Sequence, residues 1–90
     1  MNLDDKTAVV TGGTKGIGFA IAESLVRAGS KVFICGRNKT ELRDAVAELS
    51  RHGQAGGEVC DVRSEDQVRQ MLEEAERLFG GVDILVNNAG

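Results

Sequence analysis

A glycine-rich stretch near the start of the chain constrains the fold more than any other feature of the sequence. The short apolar run from Ala8 to Val10 precedes Thr-Gly-Gly-Thr-Lys-Gly-Ile-Gly at 11–18, and an apolar helical pattern begins at Ile17. A strand, a tight loop and a helix start suit a phosphate, because unpaired N–H groups and the helix dipole attract an anion there. Glycines let a pyrophosphate approach the main chain. The stretch therefore predicts nucleotide binding, although such a loop taken alone can be an ordinary turn.

The rest of the chain alternates short apolar strands with amphipathic helices. We predict strands at 7–11, 31–35, 58–62 and 82–86, with a loop at 54–57. The apolar stripes of the three intervening helices are Ile17, Ala20, Ile21, Ser24, Leu25 and Ala28; Leu42, Ala45, Val46 and Leu49; and Val68, Met71, Leu72, Ala75, Leu78 and Phe79. This alternation predicts an α/β fold, a doubly wound parallel sheet of four strands in the order 3-2-1-4 with three helices. Ligands of such sheets bind at the carboxyl ends of the strands where the order reverses.

Capping residues in the sequence predict where the second and third helices begin, and the single histidine lies where the second helix ends. Asn38 is predicted to cap the second helix with Glu41 as its partner, and Ser64 to cap the third with Gln67. His52 is predicted to be exposed at the end of the second helix. No cluster of further histidines or cysteines accompanies His52, so the sequence predicts no metal site.

The composition argues against nucleic acids and membranes as partners. The net charge is −3 and only 3% of the residues are aromatic, which disfavours nucleic-acid binding. No apolar run approaches the roughly 18–20 residues of a membrane span, and the polar N-terminus lacks a signal-peptide core, so a cytoplasmic location is expected. Cys35 and Cys60 lie in apolar runs without Cys-x-x-Cys spacing. They are predicted to be reduced and buried, and close together if their strands are neighbours.

Two cations indicate which dinucleotide binds. Gly36-Arg37 stands where the usual dinucleotide fold has an acidic residue about 20 positions after the loop. A guanidinium can bind a 2′-phosphate through two hydrogen bonds, whereas a carboxylate would repel it. With Lys15 as a second cation, the pattern favours NADP(H) over NAD(H); the alternative is that both are solvated surface charges. Asp61 is predicted to accept from the exocyclic amine of adenine, or else to be an ordinary turn acid before Ser64.

Two motifs resemble those of the short-chain dehydrogenase/reductase family. The segment 11–18 is similar to the family's Thr-Gly-x-x-x-Gly-x-Gly motif, and 87–90 is similar to its Asn-Asn-Ala-Gly motif. Cys60-Asp61-Val62 resembles the segment that carries the family's adenine-contacting aspartate. The resemblance covers essentially the whole chain. It implies a Rossmann-type fold and an oxidoreductase that uses NAD(P)(H) to reduce ketones or oxidise alcohols.

The resemblance also implies which residues contact the cofactor. Gly12, Gly16 and Gly18 shape the pyrophosphate turn, and Ile17 offers a backbone contact. The other implied cofactor-binding residues are Thr14 and Lys15 along the adenosine phosphate, Arg37, Asp61 and Val62, and Asn87, Ala89 and Gly90 around the ribose. The Asn-Asn-Ala-Gly segment is also implied to steady the central sheet. The pair of Lys15 and Arg37 resembles the NADP-preferring branch, which includes tropinone-reductase-like and 3-oxoacyl-carrier-protein-reductase-like members.

The catalytic residues of that family do not occur in this sequence. The family's chemistry uses a Tyr-x-x-x-Lys pair and an upstream Ser, and the chain contains no tyrosine. We therefore expect residues 1–90 to be the N-terminal part, truncated, of a single NAD(P)-binding domain, inactive alone. The parent protein is expected to be a homo-oligomer that acts on a small carbonyl or alcohol substrate. The alternative is a non-catalytic module that binds NADP or another subunit.

Overall fold

A four-stranded parallel sheet forms the frame of the computed structural model, which describes residues 2–88. The elements in chain order are β1 (Thr7–Thr11), α1 (Gly16–Arg27), β2 (Lys31–Gly36), α2 (Lys39–Ser50), β3 (Ala55–Val59), α3 (Glu65–Phe79) and β4 (Ile84–Asn87). The strands lie in the order β3-β2-β1-β4, which confirms the predicted topology. The order reverses between β1 and β4, so the connection after β1 lies where such sheets bind ligands.

Two apolar clusters cover the two faces of the sheet. Because β1 and β2 are buried on both sides, their successive side chains enter opposite clusters. The cluster on the side of α1 and α2 contains Val10, Ala22, Val26, Val32, Ile34, Leu42, Ala45 and Leu49. The cluster on the side of α3 contains Val9, Phe33, Cys35, Cys60, Met71 and Ala75. The predicted stripe of α2 is therefore confirmed, with Val46 half-buried beside the buried residues.

The buried stripe of α1 differs from the predicted one. It consists of Gly18, Ala22 and Val26. Ile17, Ala20 and Ser24 of the predicted stripe are exposed, whereas Ile21 and Leu25 are half-buried against the core. The physical reason is size: a helix with Gly18 and Ala22 against the sheet lies closer to it than bulky side chains allow.

The predicted bounds of two strands are wrong. β3 runs over Ala55–Val59 instead of 58–62, so the segment 54–57 is mostly strand and not a loop. Gly56 pairs with Phe33 of β2, and a Cβ at Gly57 would lie 2.7 Å from the Ile34 carbonyl oxygen. Close packing against β2 therefore places two glycines in a strand, against their low strand propensity. β4 runs over Ile84–Asn87 instead of 82–86.

The predicted caps of α2 and α3 are confirmed. Asn38 Oδ1 accepts from the Glu41 N–H at 2.9 Å, and Ser64 Oγ accepts from the Gln67 N–H at 3.3 Å. The Gln67 side chain reaches back to the residue that begins the turn, because its Oε1 accepts from the Asp61 N–H at 2.8 Å. This second bond ties the connection after β3 to the first turn of α3.

Two side chains differ from their predicted burial. Leu78 of α3 is 49% exposed, because it lies at the edge of the apolar stripe beside the start of β3. His52 is half-buried instead of exposed, because it packs beside α1 with Nε2 3.8 Å from a Glu23 carboxylate oxygen and 3.4 Å from Arg27 Nη2. Within residues 2–88, the helices are too short or too polar for any of them to span a bilayer.

Candidate functional site

A groove of about 700 Å³ opens where β1, β2 and β3 end. Six of the predicted site residues line it: Gly12, Thr14, Lys15, Arg37, Asp61 and Val62. Gly16, Ile17 and Gly18 form the first turn of α1, and Asn87 lines a smaller cavity of about 170 Å³ beside the groove. The predicted residues Ala89 and Gly90 lie outside the described residues. The fold thus brings together residues from segments that are far apart in sequence, and their role in binding stays a prediction.

The loop between β1 and α1 has the backbone that the glycines predict. Gly12 and Gly16 have φ values of 64° and 62°, in the left-handed region that glycine adopts without strain. Lys15 is the N-cap of α1, and its side chain makes no capping hydrogen bond, in contrast to Asn38 and Ser64 at the other two helices. The first turn of α1 therefore lacks a side-chain acceptor and presents its N–H groups and the positive end of the helix dipole.

Gly18 brings α1, the glycine loop and the end of β4 into contact. A Cβ at Gly18 would lie far inside van der Waals contact with the Gly12 carbonyl oxygen, and 2.6 Å from Asn88 Nδ2. Asn88 Nδ2 in turn donates to the Gly12 carbonyl oxygen at 3.4 Å. Asn88 was not among the predicted site residues, although it lines the groove and belongs to the quoted Asn-Asn-Ala-Gly motif.

Thr11 joins the carboxyl ends of β1 and β4. Its Oγ1 accepts from the Asn88 N–H at 2.9 Å. The same hydroxyl lies 3.1 Å from Asn87 Oδ1 and 3.3 Å from the Val86 carbonyl oxygen, and it donates to them. These bonds agree with the predicted role of the Asn-Asn segment in steadying the central sheet.

Cys35 supports the glycine loop from below, which the sequence analysis did not predict. Its carbonyl oxygen accepts from the Gly13 N–H at 3.2 Å. Cys35 and Cys60 are both buried and unbridged, as predicted. Burial raises the pKa of the Cys35 thiol to about 11 and also raises the pKa of Cys60. The signal available in the sequence was the position of Cys35 at the end of a buried strand.

Three cations and two carboxylates set the electrostatics of the groove. Lys15, Arg37 and Arg63 line it together with Glu41 and Asp61. Lys15 Nζ lies 3.7 Å from Glu41 Oε1, in an exposed pair whose lysine side chain is 79% accessible. Such a pair is weak in water, so Lys15 can exchange Glu41 for a stronger anion at little cost. Arg37 is exposed directly after β2 and also lines the groove.

Arg63 holds the Asp61 carboxylate in its ionised form. Arg63 Nη2 donates to Asp61 Oδ2 at 2.9 Å and Nε donates to Oδ1 at 3.1 Å, while the Arg63 N–H donates to Oδ1 at 3.0 Å. These hydrogen bonds, together with the charges of Arg63 and Arg37, lower the pKa of Asp61 to about 2. Arg63 was not among the predicted site residues; its signal was its position two residues after the aspartate.

Replacing Arg63 with methionine is expected to raise the pKa of Asp61 from about 2 toward its ordinary value of 3.8. Because the folded-state pKa is depressed, the stability from this ion pair is present above pH about 4 and is lost as the pH falls toward 2. The variant should therefore lose less stability over that interval. An NMR titration of the Asp61 carboxyl carbon measures the pKa directly. Arg69→Met, which removes the exposed Arg69–Asp66 pair, is the control, and an unchanged Asp61 pKa in Arg63→Met would contradict the assignment.

Metal chemistry has no support from the side chains of this region. Within residues 2–88, no three or more His, Cys, Asp or Glu side chains are grouped so that they could hold a metal ion. The uncapped first turn of α1 and the cationic side chains of the groove suit an anion.

Known proteins with similar sequences are dehydrogenases and reductases. The sequence pattern of the family described as short chain dehydrogenase matches residues 6–90. A tropinone reductase homolog from Arabidopsis thaliana is 44% identical over 91 residues, which cover 99% of this chain and 34% of that protein. A putative ketoacyl reductase from Streptomyces coelicolor is 43% identical over 88 residues, which cover 97% of this chain and 34% of that protein. The chain thus spans about a third of the length of these relatives.

Two solved structures share the fold closely. An active-site complex of Pseudomonas aeruginosa RhlG with NADP has a TM-score of 0.91 and 40% identity, over 99% of this chain and 36% of that one. An actinorhodin polyketide ketoreductase with NADPH has a TM-score of 0.92 and 42% identity, over 100% of this chain and 35% of that one. At this identity and coverage the similarity extends to the backbone that surrounds the groove.

Proposed function

The chain belongs to the short chain dehydrogenase family, and we propose that it binds NADP(H) for an oxidoreductase that interconverts a ketone and an alcohol. The observation that carries the proposal is the groove at the carboxyl edge of the sheet, which brings Gly12, Lys15, Arg37 and Asp61 together. Two similar structures, one a complex with NADP and the other a complex with NADPH, support the choice of coenzyme.

The residues present suit the three chemical parts of the adenosine end of NADP(H). The uncapped first turn of α1 and the close approach at Gly18 suit the pyrophosphate, which accepts from main-chain N–H groups. Lys15 and Arg37 suit the 2′-phosphate, since both are exposed cations on the groove wall. Asp61 and Val62 suit the adenine, with the carboxylate kept ionised as an acceptor.

The chemistry divides between the coenzyme and the protein. NADP(H), when bound, supplies or takes up the hydride. The described residues bind and orient the coenzyme, and Thr11 and Asn88 join the glycine loop to β4 beneath it. The sequence has no tyrosine, so we infer that these 90 residues alone do not provide the family's proton donor and do not turn over a substrate. The site residues Asn87, Ala89 and Gly90 are proposed to line the ribose.

The second candidate function is a non-catalytic NADP-binding or subunit-interaction module. The exposed apolar side chains Ile17, Leu78 and Leu85 favour it, because they could contact a second chain. We propose for the parent protein a cytoplasmic location, a small carbonyl or alcohol substrate, and a homo-oligomeric assembly. Both candidates share the same coenzyme site, so the first experiment addresses that site.

Titration of the purified protein with NADPH, followed by the fluorescence of the nicotinamide, tests the proposal. We expect saturable binding of NADPH with a Kd at least roughly tenfold lower than that of NADH. A tenfold ratio corresponds to the free energy of about one charge-assisted hydrogen bond. Equal affinity for the two coenzymes would refute the 2′-phosphate site, and no binding of either would refute the proposal. Adding a panel of ketones then tests the inference about turnover. Oxidation of NADPH by these residues alone would contradict that inference, whereas binding without oxidation agrees with it under both candidate functions.

A further inference from the structure

Glu41 places a carboxylate among the cations of the groove, and the proposed function gives it no role. It lines the groove together with Lys15 and Arg37. Its main chain is held in the first turn of α2, because the Glu41 N–H donates to Asn38 Oδ1 at 2.9 Å. Its side chain is partly exposed, with Oε1 3.7 Å from Lys15 Nζ. A fixed backbone therefore keeps a negative charge beside one of the two cations that we assign to the 2′-phosphate.

The other carboxylate that lines the groove within residues 2–88 is held firmly by its own cation. Asp61 accepts hydrogen bonds from Arg63 at 2.9, 3.0 and 3.1 Å. Lys15 and Glu41 are held less firmly, because their separation of 3.7 Å exceeds hydrogen-bonding distance and the lysine side chain is 79% accessible. An exposed pair of this kind separates at little cost in free energy. Glu41 is therefore the groove carboxylate whose cation can change partner.

We propose that Glu41 is a specificity-determining residue that competes with the 2′-phosphate of NADP(H) for Lys15. A phosphate monoester carries a charge of about −1.5 to −2 at neutral pH, so it attracts the Lys15 ammonium more strongly than a carboxylate does. The 2′-phosphate takes Lys15 from Glu41 and is repelled by the carboxylate that it displaces. NAD(H) has a hydroxyl at that position and leaves the pair intact. The role of Glu41 rests on the proposed function, because it takes Lys15 as part of the 2′-phosphate site.

The competition acts on affinity in the direction opposite to the two cations. Lys15 and Arg37 raise the affinity for NADP(H), whereas Glu41 lowers it and leaves the affinity for NAD(H) nearly unchanged. Because differences in affinity lie mostly in the dissociation rate, the carboxylate mainly shortens the residence time of NADP(H). The groove therefore combines recognition of the phosphorylated coenzyme with its release.

Glu41→Gln tests the proposal, because the amide keeps the size of the side chain and removes its charge. The Kd of NADPH should fall about three- to fivefold, as expected for an exposed charge pair, while the Kd of NADH changes less than about twofold. Titration followed by nicotinamide fluorescence measures both constants. An unchanged or higher Kd of NADPH, in a protein that prefers NADPH to NADH, would overturn the proposal.

Glu48→Gln is the matched control on the same helix. The Glu48 side chain is 41% exposed, compared with 43% for Glu41, and it pairs with Arg51 at 3.0 Å. Glu48 is not among the described residues that line the groove. The same change in net charge at this position should alter the Kd of NADPH by less than about twofold, since salt screens a distant surface charge. If Glu48→Gln lowered that Kd as much as Glu41→Gln does, the effect would come from net charge and the proposal would be overturned.

The competition requires Lys15, so a second test removes that cation. In a Lys15→Met background, adding Glu41→Gln should lower the Kd of NADPH by less than about twofold, because no ammonium remains to be released. A gain in affinity as large as in the unmodified background would show that Glu41 does not act through Lys15 and would overturn the proposal. If the unmodified protein does not prefer NADPH to NADH, the proposed 2′-phosphate site itself fails. A preference that Glu41→Gln leaves unchanged refutes the role of Glu41 alone.

Discussion

Replacing Gly18 with alanine is expected to lower the free energy of unfolding by about 3 kcal/mol and to abolish NADPH binding. The added methyl group would collide with the Gly12 carbonyl oxygen and with Asn88 Nδ2. The carbonyl belongs to the backbone, so it can move aside only if the loop or α1 is displaced. Urea denaturation and an NADPH titration of the same preparation measure the two effects.

Gly16 provides a matched control in the same loop. It has a φ of 62°, and a Cβ placed there would meet nothing within 4 Å. Gly16→Asn is expected to cost only about 1 kcal/mol, because asparagine tolerates the left-handed conformation. The comparison separates crowding from backbone strain. An unfolding midpoint of Gly18→Ala equal to that of the unmodified protein would show that α1 does not approach the loop as described.

Replacing Arg37 with aspartate is expected to raise the Kd of NADPH about 100-fold while changing the Kd of NADH less than about threefold. The guanidinium is exposed on the groove wall and close enough to Asp61 to lower the pKa of that carboxyl. The new carboxylate would repel the 2′-phosphate but could accept from the ribose hydroxyls of NADH. The readout is the ratio of the two dissociation constants, measured by nicotinamide fluorescence.

Arg43→Asp is the control for the change in net charge. Arg43 is exposed on α2 and is not among the described residues that line the groove. It should change both dissociation constants by the same small factor, since a distant surface charge is screened by salt. If the two variants gave the same ratio of the NADPH and NADH dissociation constants, Arg37 would have no part in the choice of coenzyme.

The topology was predictable from the sequence, because the order of elements and the reversal between β1 and β4 follow from alternation and handedness. The buried stripe of α1 was not predictable, because the prediction assigned the buried face to the larger apolar side chains. Ile17 is 74% exposed, while the small residues Gly18 and Ala22 face the sheet. Hydrophobic periodicity measures which residues avoid water, and it does not register where two backbones must approach closely.

The start of β3 was predicted wrongly for a related reason. Gly56 and Gly57 have a composition typical of loops, yet they pair with Phe33 and Ile34 of β2. A side chain at Gly56 would collide with Leu78 of α3, so the glycines are required by partners distant in sequence. The candidate site shows the same limit. The motif residues of the groove were predictable, whereas Asn88, Arg63 and the contact of Cys35 with the glycine loop depend on contacts that only the folded chain creates.

β4 is short, and among residues 2–88 it pairs with β1 alone, with Leu85 57% exposed. β1 and β2 each have a partner strand on both sides, so their amides should resist deuterium exchange longer than those of β4. When β4 separates from β1, the hydrogen bond from Asn88 Nδ2 to the Gly12 carbonyl oxygen breaks, and the glycine loop loses that contact. We therefore expect a nucleotide bound at that loop to slow the opening of β4.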